Sequence, residues 1–382
     1  MAGLYLHIPF CKQACNYCNF HFSTSLKQED RMVDAICREI ELRKTYLKKT
    51  PLSTIYFGGG TPSIISNSNL EKIFHCIHKY FTLENNIEIT LEANPDDINT
   101  SKLDHWKSMG INRLSVGLQS LHQEELSWMN RAHDISECYT ALELISSDSD
   151  MEYSVDLIFG VHLSTIQSWK ENLKIICSYM PNHISCYALT VEPNTALFHT
   201  VRKNKENLPS DDLSKDQFYL ADEILGTHGY DHYEISNYAL GDQYAKHNTS
   251  YWKSKPYLGI GPSAHSFDGF SRSWNAANNA FYMNAILDEN KVLNKSEDLS
   301  LRDQYNEYLM TRLRTKWGCS PIEIVQQFGD DYFDHFQVSI SHFIQNGTLE
   351  LLEDKKMNRH YILNKKEWIV ADQVISELFL IN

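Results

Sequence analysis

The stretch GLYLHIPFCKQACNYCNF, residues 3–20, places three cysteines directly after a short segment with the composition of a β-strand. Cys11, Cys15 and Cys18 form the pattern C-x3-C-x2-C, and Phe20 stands where a fourth cysteine could have been. The thiols therefore lie on the loop that follows the first predicted strand. What three neighbouring thiolates would bind depends on the fold that presents them.

Five more strand-like segments follow, and most are succeeded by an amphipathic helical pattern. The predicted strands are STIYFGGG (53–60), NIEITLEAN (86–94), INRLSVGLQ (111–119), EYSVDLIFG (152–160) and NHISCYALT (182–190). The predicted helices cover about 28–48, 67–81, 101–109, 124–128, 136–145, 165–179 and 213–227. Six βα units imply a parallel sheet, and polar residues at the strand ends favour an α/β fold built as a partial (β/α)6 barrel. An open doubly wound sheet has the same order of elements and is the alternative.

The C-terminal part of the chain has a different pattern. LDENKVLNKSEDLS, residues 287–300, has the composition of a polar linker. After it we predict helices near 301–316, 321–328 and 332–345, a hairpin from GTLELLED (347–354) and RHYILN (359–364), and a final helix. Three helices with a hairpin predict a small winged-helix-like α+β domain. We therefore expect a barrel domain over residues 1–290 and a second domain over 291–382.

Composition and charge restrict the function. Of the 382 residues, 42% are hydrophobic and 22% charged, which is ordinary for a globular protein. The formal net charge is −14 and no basic run is present, which argues against a nucleic-acid partner. No secretory signal or membrane-spanning stretch is evident, so membrane contact would be peripheral at most. Nine cysteines, six of them scattered singly, indicate a reducing compartment, and we expect a cytoplasmic protein.

The number and spacing of the clustered cysteines suggest a cofactor. A structural zinc site needs four ligands, so zinc would require His7 or His21 as the fourth, and three unligated thiols are a further alternative. A [4Fe–4S] cluster bound by three cysteines leaves one iron open, and C-x3-C-x2-C after the first strand is typical of radical S-adenosylmethionine (SAM) proteins. The open iron would take the amino and carboxylate groups of SAM, whose reductive cleavage yields a deoxyadenosyl radical.

Polar or glycine residues recur at the ends of the predicted strands. The glycines of FGGGTPS end the second strand, where missing side chains let the backbone approach a ligand. Glu92, Gln119 and Asp156 occupy similar positions at or near the ends of later strands. Each alone would be interpreted as a cap or a solvated residue. Together they lie on the face where barrels of this kind bind ligands.

These motifs resemble one known family over almost the whole chain. LYLHIPFCKQACNYCNF, FGGGTPS, LEANPD, SVGLQSLHQEELSWMNRAH and VDLIFGV are together similar to the coproporphyrinogen III dehydrogenase-like radical SAM family. The resemblance implies that Cys11, Cys15 and Cys18 bind the cluster. It implies a SAM-contacting set of Tyr5, Tyr17, Gly59, Gly60, Thr61, Glu92, Gln119, Arg131 and Asp156.

The family has a dehydrogenase branch and a haem-chaperone branch. This sequence carries Phe20 where the dehydrogenases have another cysteine, and it lacks their N-terminal extension before Tyr5. HNTSYW, residues 247–252, matches the H-N-x-x-Y-W motif that the chaperone branch associates with haem. The resemblance thus implies haem binding through His247, although a lone histidine is more often structural. His265 in GIGPSAHSF is a weaker second candidate.

We therefore expect a radical SAM haem chaperone, a carrier rather than an enzyme, that passes haem to an acceptor protein. A homodimer is left open. The enzymatic alternative is an oxygen-independent coproporphyrinogen III oxidase, which decarboxylates two propionates of its substrate. A radical SAM enzyme that modifies RNA is a third hypothesis, and the acidic composition argues against it.

Overall fold

The computed structural model describes residues 2–203, 210–353 and 357–381. The strands are β1 Ala2–Ile8, β2 Leu52–Gly59, β3 Leu83–Ala93, β4 Arg113–Gln119, β5 Glu152–Phe159, β6 His183–Ala188, β7 Tyr230–Glu234, β8 Asn237–Leu240, β9 Tyr257–Ile260, β10 His265–Phe267, β11 Ser271–Asn275, β12 Asn294–Asp298, β13 Leu349–Glu353 and β14 Arg359–Leu363. The α-helices are α1 Glu29–Leu42, α2 Asn67–Tyr80, α3 Thr100–Ser108, α4 Gln123–Trp128, α5 Ile135–Ser146, α6 Ile166–Ser178, α7 Ala196–Arg202, α8 Asp211–Thr227, α9 Lys246–Trp252, α10 Asn279–Leu287, α11 Leu301–Leu313, α12 Pro321–Phe328, α13 Asp330–Gln345 and α14 Ala371–Glu377. Short 3-10 helices cover Pro62–Ile64, Pro95–Asp97 and Lys365–Val370.

The large sheet has the order β12-β11-β10-β9-β1-β2-β3-β4-β5-β6-β8-β7. Strands β1 to β6 are parallel and lie side by side in chain order, and β9 adds a further parallel strand beside β1. A doubly wound sheet would reverse its order at a switch point. The sequential order therefore excludes that alternative and agrees with the predicted partial barrel.

The two faces of the parallel strands differ in chemistry. One face carries fully buried apolar side chains in the main core, including Leu4, Leu6, Phe57, Leu91 and Val116. The alternate positions are also buried but polar, including Thr54, Glu88, Thr90, Ser154 and His183. Open parallel sheets bury apolar residues on both faces because helices cover both. A buried polar face indicates instead the interior of a barrel.

A cavity of about 420 Å³, which lies between the outer strands of the parallel part of the sheet, shows that the sheet is curved. Tyr187 of β6 and Tyr257 of β9 both line this cavity. Six strand-to-strand steps separate β6 from β9, which in a flat sheet would be about 29 Å. The sheet must therefore curl until these strands face each other. We call this space, at the open side of the partial barrel, the seam cavity.

Several segments differ from the sequence-based expectation, and helices α7 and α10 were not predicted. Helix α1 ends at Leu42 instead of residue 48, because the chain continues as turns and reaches positive φ at Lys48 and Lys49. The predicted polar linker contains β12, whose exposed side chains resemble a linker although its backbone pairs with β11. Residues 230–275 contribute strands too short, at three to five residues, for the periodicity to indicate.

The C-terminal part contains the three predicted helices, α11 to α13, followed by the hairpin β13–β14 as a separate two-stranded sheet. Asp354, the predicted end of the first hairpin strand, lies outside the described residues. Backbone hydrogen bonds from Lys316 N to Tyr233 O (3.0 Å) and from Ile235 N to Arg314 O (3.2 Å) join this part to β7. The division at residues 290 and 291 remains a prediction. Every helix in the described ranges is too short or too polar to span a lipid bilayer.

A buried carboxylate joins α1 to the extension of the sheet beyond β1. Glu39 is fully buried and accepts hydrogen bonds from Gly261 N (2.8 Å), Asn275 Nδ2 (2.7 Å), Tyr282 OH (2.7 Å) and an Arg43 guanidinium nitrogen (3.2 Å). Three of these donors, Gly261, Asn275 and Tyr282, belong to the part of the chain that runs from the end of β9 into α10. Since β9 pairs with β1, the network also fixes the strand that leads into the cysteine loop.

Replacing Glu39 with alanine is expected to destabilise the protein strongly. The substitution leaves the buried Arg43 guanidinium without its carboxylate and three further donors without an acceptor. Such a change typically costs about 3–5 kcal/mol. Urea denaturation followed by circular dichroism would measure it. Glu41→Ala, on the same helix but partly exposed and paired with the partly exposed Arg38, is the matched control and should change the free energy of unfolding only slightly. Equal midpoints for both variants would contradict the role given to Glu39.

Candidate functional site

The loop that carries the three cysteines is held by backbone hydrogen bonds to distant segments. At its neck, Cys11 N donates to Ser23 O at 3.1 Å. At its middle, Asn16 N donates to Met129 O (3.0 Å), and Asn16 O accepts from Leu197 N (2.8 Å). The segment after α4 and the start of α7 therefore clamp the loop from two sides.

Side chains add to this support. Asn130 Nδ2 donates to Ala14 O at 2.7 Å, and Asn130 itself has a positive φ of 57°. Lys12 Nζ lies 2.6 Å from carboxylate oxygens of both Asp96 and Asp97. The family motif that contains Asn130 thus has a structural role here, because it positions the cysteine loop.

The glycines at the end of β2 pack against the same loop. Gly60 N donates to Ile8 O (2.9 Å) and Thr61 N donates to Phe10 O (2.6 Å). A Cβ on Gly60 would lie 2.5 Å from Phe10 O, and Gly59 has a φ of +107°, which disfavours any other residue. These glycines are therefore required for close packing of two backbones, in addition to facing the cavity described next.

Beneath the loop lies a cavity of about 460 Å³ at the carboxyl ends of the parallel strands. Eleven of the thirteen predicted site residues line it: Cys11, Cys15, Tyr17, Cys18, Gly59, Gly60, Thr61, Glu92, Gln119, Arg131 and Asp156. We call it the cysteine cavity. Residues that the sequence distributes over about 145 positions thus meet in one place, because most of them lie in the carboxyl half of a parallel strand or on the loop that follows it.

Two carboxyl groups face this cavity from β3 and β5. Glu92 accepts hydrogen bonds from Tyr56 OH (2.8 Å) and Gly59 N (3.2 Å). Asp156 Oδ2 accepts from Ser115 Oγ at 3.0 Å, and Ser185 is a further hydrogen-bonding neighbour of the Asp156 carboxyl group. Burial, together with the negative charge of Asp156, raises the pKa of Glu92 to about 7, and burial also raises the pKa of Asp156. A cationic ligand would relieve both effects, so the cavity favours one.

Arg131 lies between the cysteine loop and the strand ends. One guanidinium nitrogen is 3.2 Å from Cys15 Sγ, and the other donates to Asn94 Oδ1 (2.8 Å) and Gly117 O (2.9 Å). Its Nε is buried without a partner among the residues described. Arg131 therefore brings a fixed positive charge to the thiols, with donor capacity that a ligand carboxylate could use.

The donor set fits a [4Fe–4S] cluster. Burial raises the pKa of Cys11 to about 11 and shifts that of Cys18 in the same direction, so the thiolates require the positive charge of metal ions. Over the described ranges no three Cys, His, Asp or Glu side chains converge on a single metal ion. A cluster does not require such convergence, because each thiolate binds a different iron.

The zinc alternative finds no support in the two histidines near the loop. His7 Nε2 is hydrogen-bonded to His21 O at 2.8 Å, and burial lowers the pKa of His7 to about 4. His21 Nε2 is hydrogen-bonded to Asn279 Oδ1 at 2.7 Å. Each imidazole thus has a structural partner, and neither lines the cysteine cavity.

Two members of the predicted SAM-contacting set differ from the others, Gln119 in its backbone conformation and Tyr5 in its position. Gln119 has a φ of 71°, and the β4–β5 register shifts between Gly117 and Gln119. Such irregularities redirect side chains near functional sites. Tyr5 does not line the cavity: its ring stacks on Tyr56 at 6.1 Å, and its hydroxyl lies 3.2 Å from His7 Nδ1. Tyr5 supports the floor of the cavity, and its direct contact with a cofactor remains a prediction.

His247 lies at the opposite end of the barrel interior from the cysteines. Its ring nitrogens are hydrogen-bonded to Thr54 Oγ1 (2.8 Å) and Tyr251 OH (2.7 Å), and its backbone N donates to Glu88 Oε1 (2.8 Å). The residue is 2% exposed, and burial lowers its pKa to about 3. Neither nitrogen is free in this arrangement, so iron ligation by His247 would require one of the two hydrogen bonds to break, while the other could remain. His265 lines neither cavity and stacks on Trp274.

Sequence reasoning did not select several residues that line the cysteine cavity, among them Tyr56, Asn94, Ser115 and Tyr187. Tyr56, Ser115 and Tyr187 occupy inward positions of their strands, in the same alternation as Glu92 and Asp156. That alternation was the signal that could have found them. Asn94 follows β3 and carries no comparable signal.

Comparison with known proteins agrees with this geometry. The model of the Radical SAM superfamily matches residues 5–184. Heme chaperone HemW of Bacillus subtilis (strain 168) is 30% identical over 333 residues, which cover 86% of this chain and 87% of that protein. Heme chaperone HemW of Escherichia coli (strain K12) is 30% identical over 335 residues, or 86% of each chain.

The solved structure of coproporphyrinogen III oxidase (HemN) from Escherichia coli, a radical SAM enzyme, superposes with a TM-score of 0.84. The alignment covers 99% of this chain and 90% of that one at 21% identity, a likeness that shows the fold. The superfamily match implies a [4Fe–4S] cluster and SAM as cofactors. Because its similarity to the curated chaperones extends over most of both chains, this chain belongs to the HemW family of radical SAM proteins.

Proposed function

We propose that the protein is a haem chaperone that binds haem, carries a [4Fe–4S] cluster and SAM, and passes haem to an acceptor protein. The observation that carries the proposal is the similarity to proteins named heme chaperone HemW over most of the chain. Three motif residues, Asn248, Tyr251 and Trp252, line the seam cavity, where a ligand has room. All nine cysteines are free, which suits a cytoplasmic protein.

We assign the cofactor roles within the cysteine cavity by chemistry. Cys11, Cys15 and Cys18 would hold the cluster. Glu92 and Asp156 would receive the cationic and hydroxyl groups of SAM, and Arg131 its carboxylate. When bound, cluster and SAM supply an electron and a sulfonium whose cleavage gives a deoxyadenosyl radical. The chain itself orients the ligand, balances its charge and, through the loop, covers it.

Phe20 supports a carrier over the dehydrogenase. It lines the cysteine cavity with 66% of its surface exposed and presents an apolar ring where the dehydrogenase pattern has a thiol. An exposed aromatic ring can pack on a ligand or partner but cannot donate a proton or bind a metal. The rival function remains oxygen-independent oxidation of coproporphyrinogen III.

Two anaerobic assays of the cluster-reconstituted protein separate these functions. We expect one haem to bind per chain in an absorbance titration, and to move to apomyoglobin used as a haem trap. With SAM, reductant and coproporphyrinogen III, we expect no decarboxylated porphyrin by chromatography. Catalytic accumulation of that product would establish the oxidase instead. Absence of haem binding would remove the chaperone proposal.

SAM binding is expected to depend on pH through Glu92. In the ligand-free protein the carboxyl is protonated below its pKa of about 7, whereas a cationic ligand favours the carboxylate. SAM affinity should therefore fall as the pH drops below about 7, by up to about tenfold per pH unit, with proton release on binding. Calorimetry of the reconstituted protein at several pH values would measure this. Glu92→Gln should bind more weakly and without the pH dependence, and a retained dependence would exclude Glu92 as its source.

Two substitutions distinguish an iron ligand from a positioning residue at His247. His247→Ala is expected to weaken haem binding by about tenfold or more while the cluster absorbance stays unchanged. His247→Gln keeps hydrogen-bonding groups for Thr54 and Tyr251 but does not ligate iron well. Haem binding with the native haem spectrum in His247→Gln would indicate positioning, and an altered spectrum would indicate ligation. Native haem affinity in both variants would remove His247 from the haem site.

A further inference from the structure

The seam cavity is a second site, distinct from the cysteine cavity. Of the described residues, Tyr187 alone lines both spaces. The seam cavity has a volume of about 420 Å³, which falls within the range of small-molecule sites, roughly 300–1,000 Å³. It opens between the two edges of the barrel strands, and α11 of the C-terminal part contributes Glu307 and Thr311 to its rim. A flat ligand could therefore enter from the side of the barrel.

Aromatic rings make up much of the cavity wall. Tyr187, Tyr251, Trp252, Tyr257 and Phe267 come from β6, α9, β9 and β10, on opposite sides of the opening. The Tyr251 and Tyr257 rings already pack edge to face at 4.7 Å. Rings arranged in this way bind planar, conjugated ligands better than they bind flexible chains.

Two buried polar side chains line the cavity next to each other. Glu234 is 2% exposed; one of its carboxyl oxygens accepts from Ser236 N at 3.2 Å, and the Asn237 side chain is a further hydrogen-bonding neighbour of the carboxyl group. Asn237 is 5% exposed, and its Oδ1 has no hydrogen-bond partner among the described residues. A buried polar atom without a partner is rare, so this amide oxygen indicates a ligand that completes it. Burial raises the pKa of Glu234 to about 7, which leaves a protonated fraction able to donate.

Two cations stand at the opening of the cavity. Lys255 is exposed and has no carboxylate partner within the described residues. Arg272 is paired with Glu307 at 2.7 Å, and its side chain remains 40% exposed. A planar ligand inserted between the aromatic rings would bring acidic groups on its outer edge to these side chains. The ligand class that the cavity fits is thus a flat aromatic macrocycle with carboxylates on one edge.

We propose that the seam cavity binds the tetrapyrrole edge-on, with its ring between the aromatic walls and its propionates at Lys255 and Arg272. This inference rests on the proposed haem-chaperone function and assigns its binding site. Glu234 and Asn237 hydrogen-bond the inner end of the bound molecule or its ordered water. Tyr187 separates the tetrapyrrole from the cysteine cavity, so haem and SAM occupy neighbouring spaces in one barrel.

The propionate contacts can be tested with ferric haem and its dimethyl ester, in which both carboxylates are capped. Titrations of the cluster-reconstituted chain should show haem binding at least about tenfold tighter than the ester. In the double variant Lys255→Gln, Arg272→Gln the preference should disappear through weaker haem binding, with ester affinity retained. Arg31→Gln is the matched control. Arg31 lies on α1, away from the cavity; its side chain is similarly exposed, at 42%, and it is paired with Asp288 at 2.9 Å. This variant should keep the native preference.

A second variant tests the cavity independently of charge. Thr311 lies on the rim of the cavity, and Thr311→Trp would fill it. We expect this variant to lose haem binding while SAM binding and the cluster absorbance remain native, which also shows that it is folded. If the native protein binds haem, but the double variant and Thr311→Trp both bind it as the native protein does, the seam-cavity assignment is wrong and the haem-chaperone proposal still stands. If the native protein binds no haem, the proposed function itself fails.

Discussion

Parallel strands that bury a polar face must provide a partner for each donor and acceptor on it, since an unpaired buried polar atom costs about 1–3 kcal/mol. In this barrel the pairing of buried polar atoms differs from one part of the interior to another. At the end near His247, hydrogen bonds to Thr54 and Tyr251 satisfy the imidazole completely. Elsewhere in the interior the pairing is incomplete among the described residues: Thr90 Oγ1 and His183 Nδ1 within the strands, and Arg131 Nε near their carboxyl ends, have no partner. Of these three side chains only Arg131 lines the cysteine cavity, where a ligand can complete its hydrogen bonds.

The same requirement explains why much of the fold and of the cysteine site was predictable. Strand periodicity identified the six parallel strands, and residues at their carboxyl ends had to meet at one edge. Glu92 and Asp156 were found this way, and the cysteine spacing suggested a cofactor before any comparison. Arg131 was reached through the resemblance alone, because nothing in its local sequence distinguishes it from a surface arginine. Its role becomes physically evident only when the fold brings Cys15, Asn94 and Gly117 around it.

Other parts depended on contacts that the sequence does not encode locally. The segment from β7 to β12 forms both edges of the curled sheet, but its strands are short and their polarity resembles that of loops. The seam cavity exists because distant segments meet there, and Glu234, Lys255 and Arg272 carry no shared motif. The position of His247 could not be inferred either, because the motif indicates which residues belong together but not which way a ring points. Its neighbours Tyr251 and Trp252 face the cavity, whereas the histidine lies behind them.

The clamp on the cysteine loop has a consequence for the order of synthesis. Asn16 is held by Trp128, 112 residues further along the chain, and by Leu197, while β1 also needs β9 as a neighbour. A ribosome exposes the three thiols early, long before these partners leave the exit tunnel. The nascent chain therefore carries unprotected cysteines until these later segments have been translated. Iron and sulfide can enter a shaped site only once the barrel is nearly complete, so cluster insertion follows synthesis instead of accompanying it.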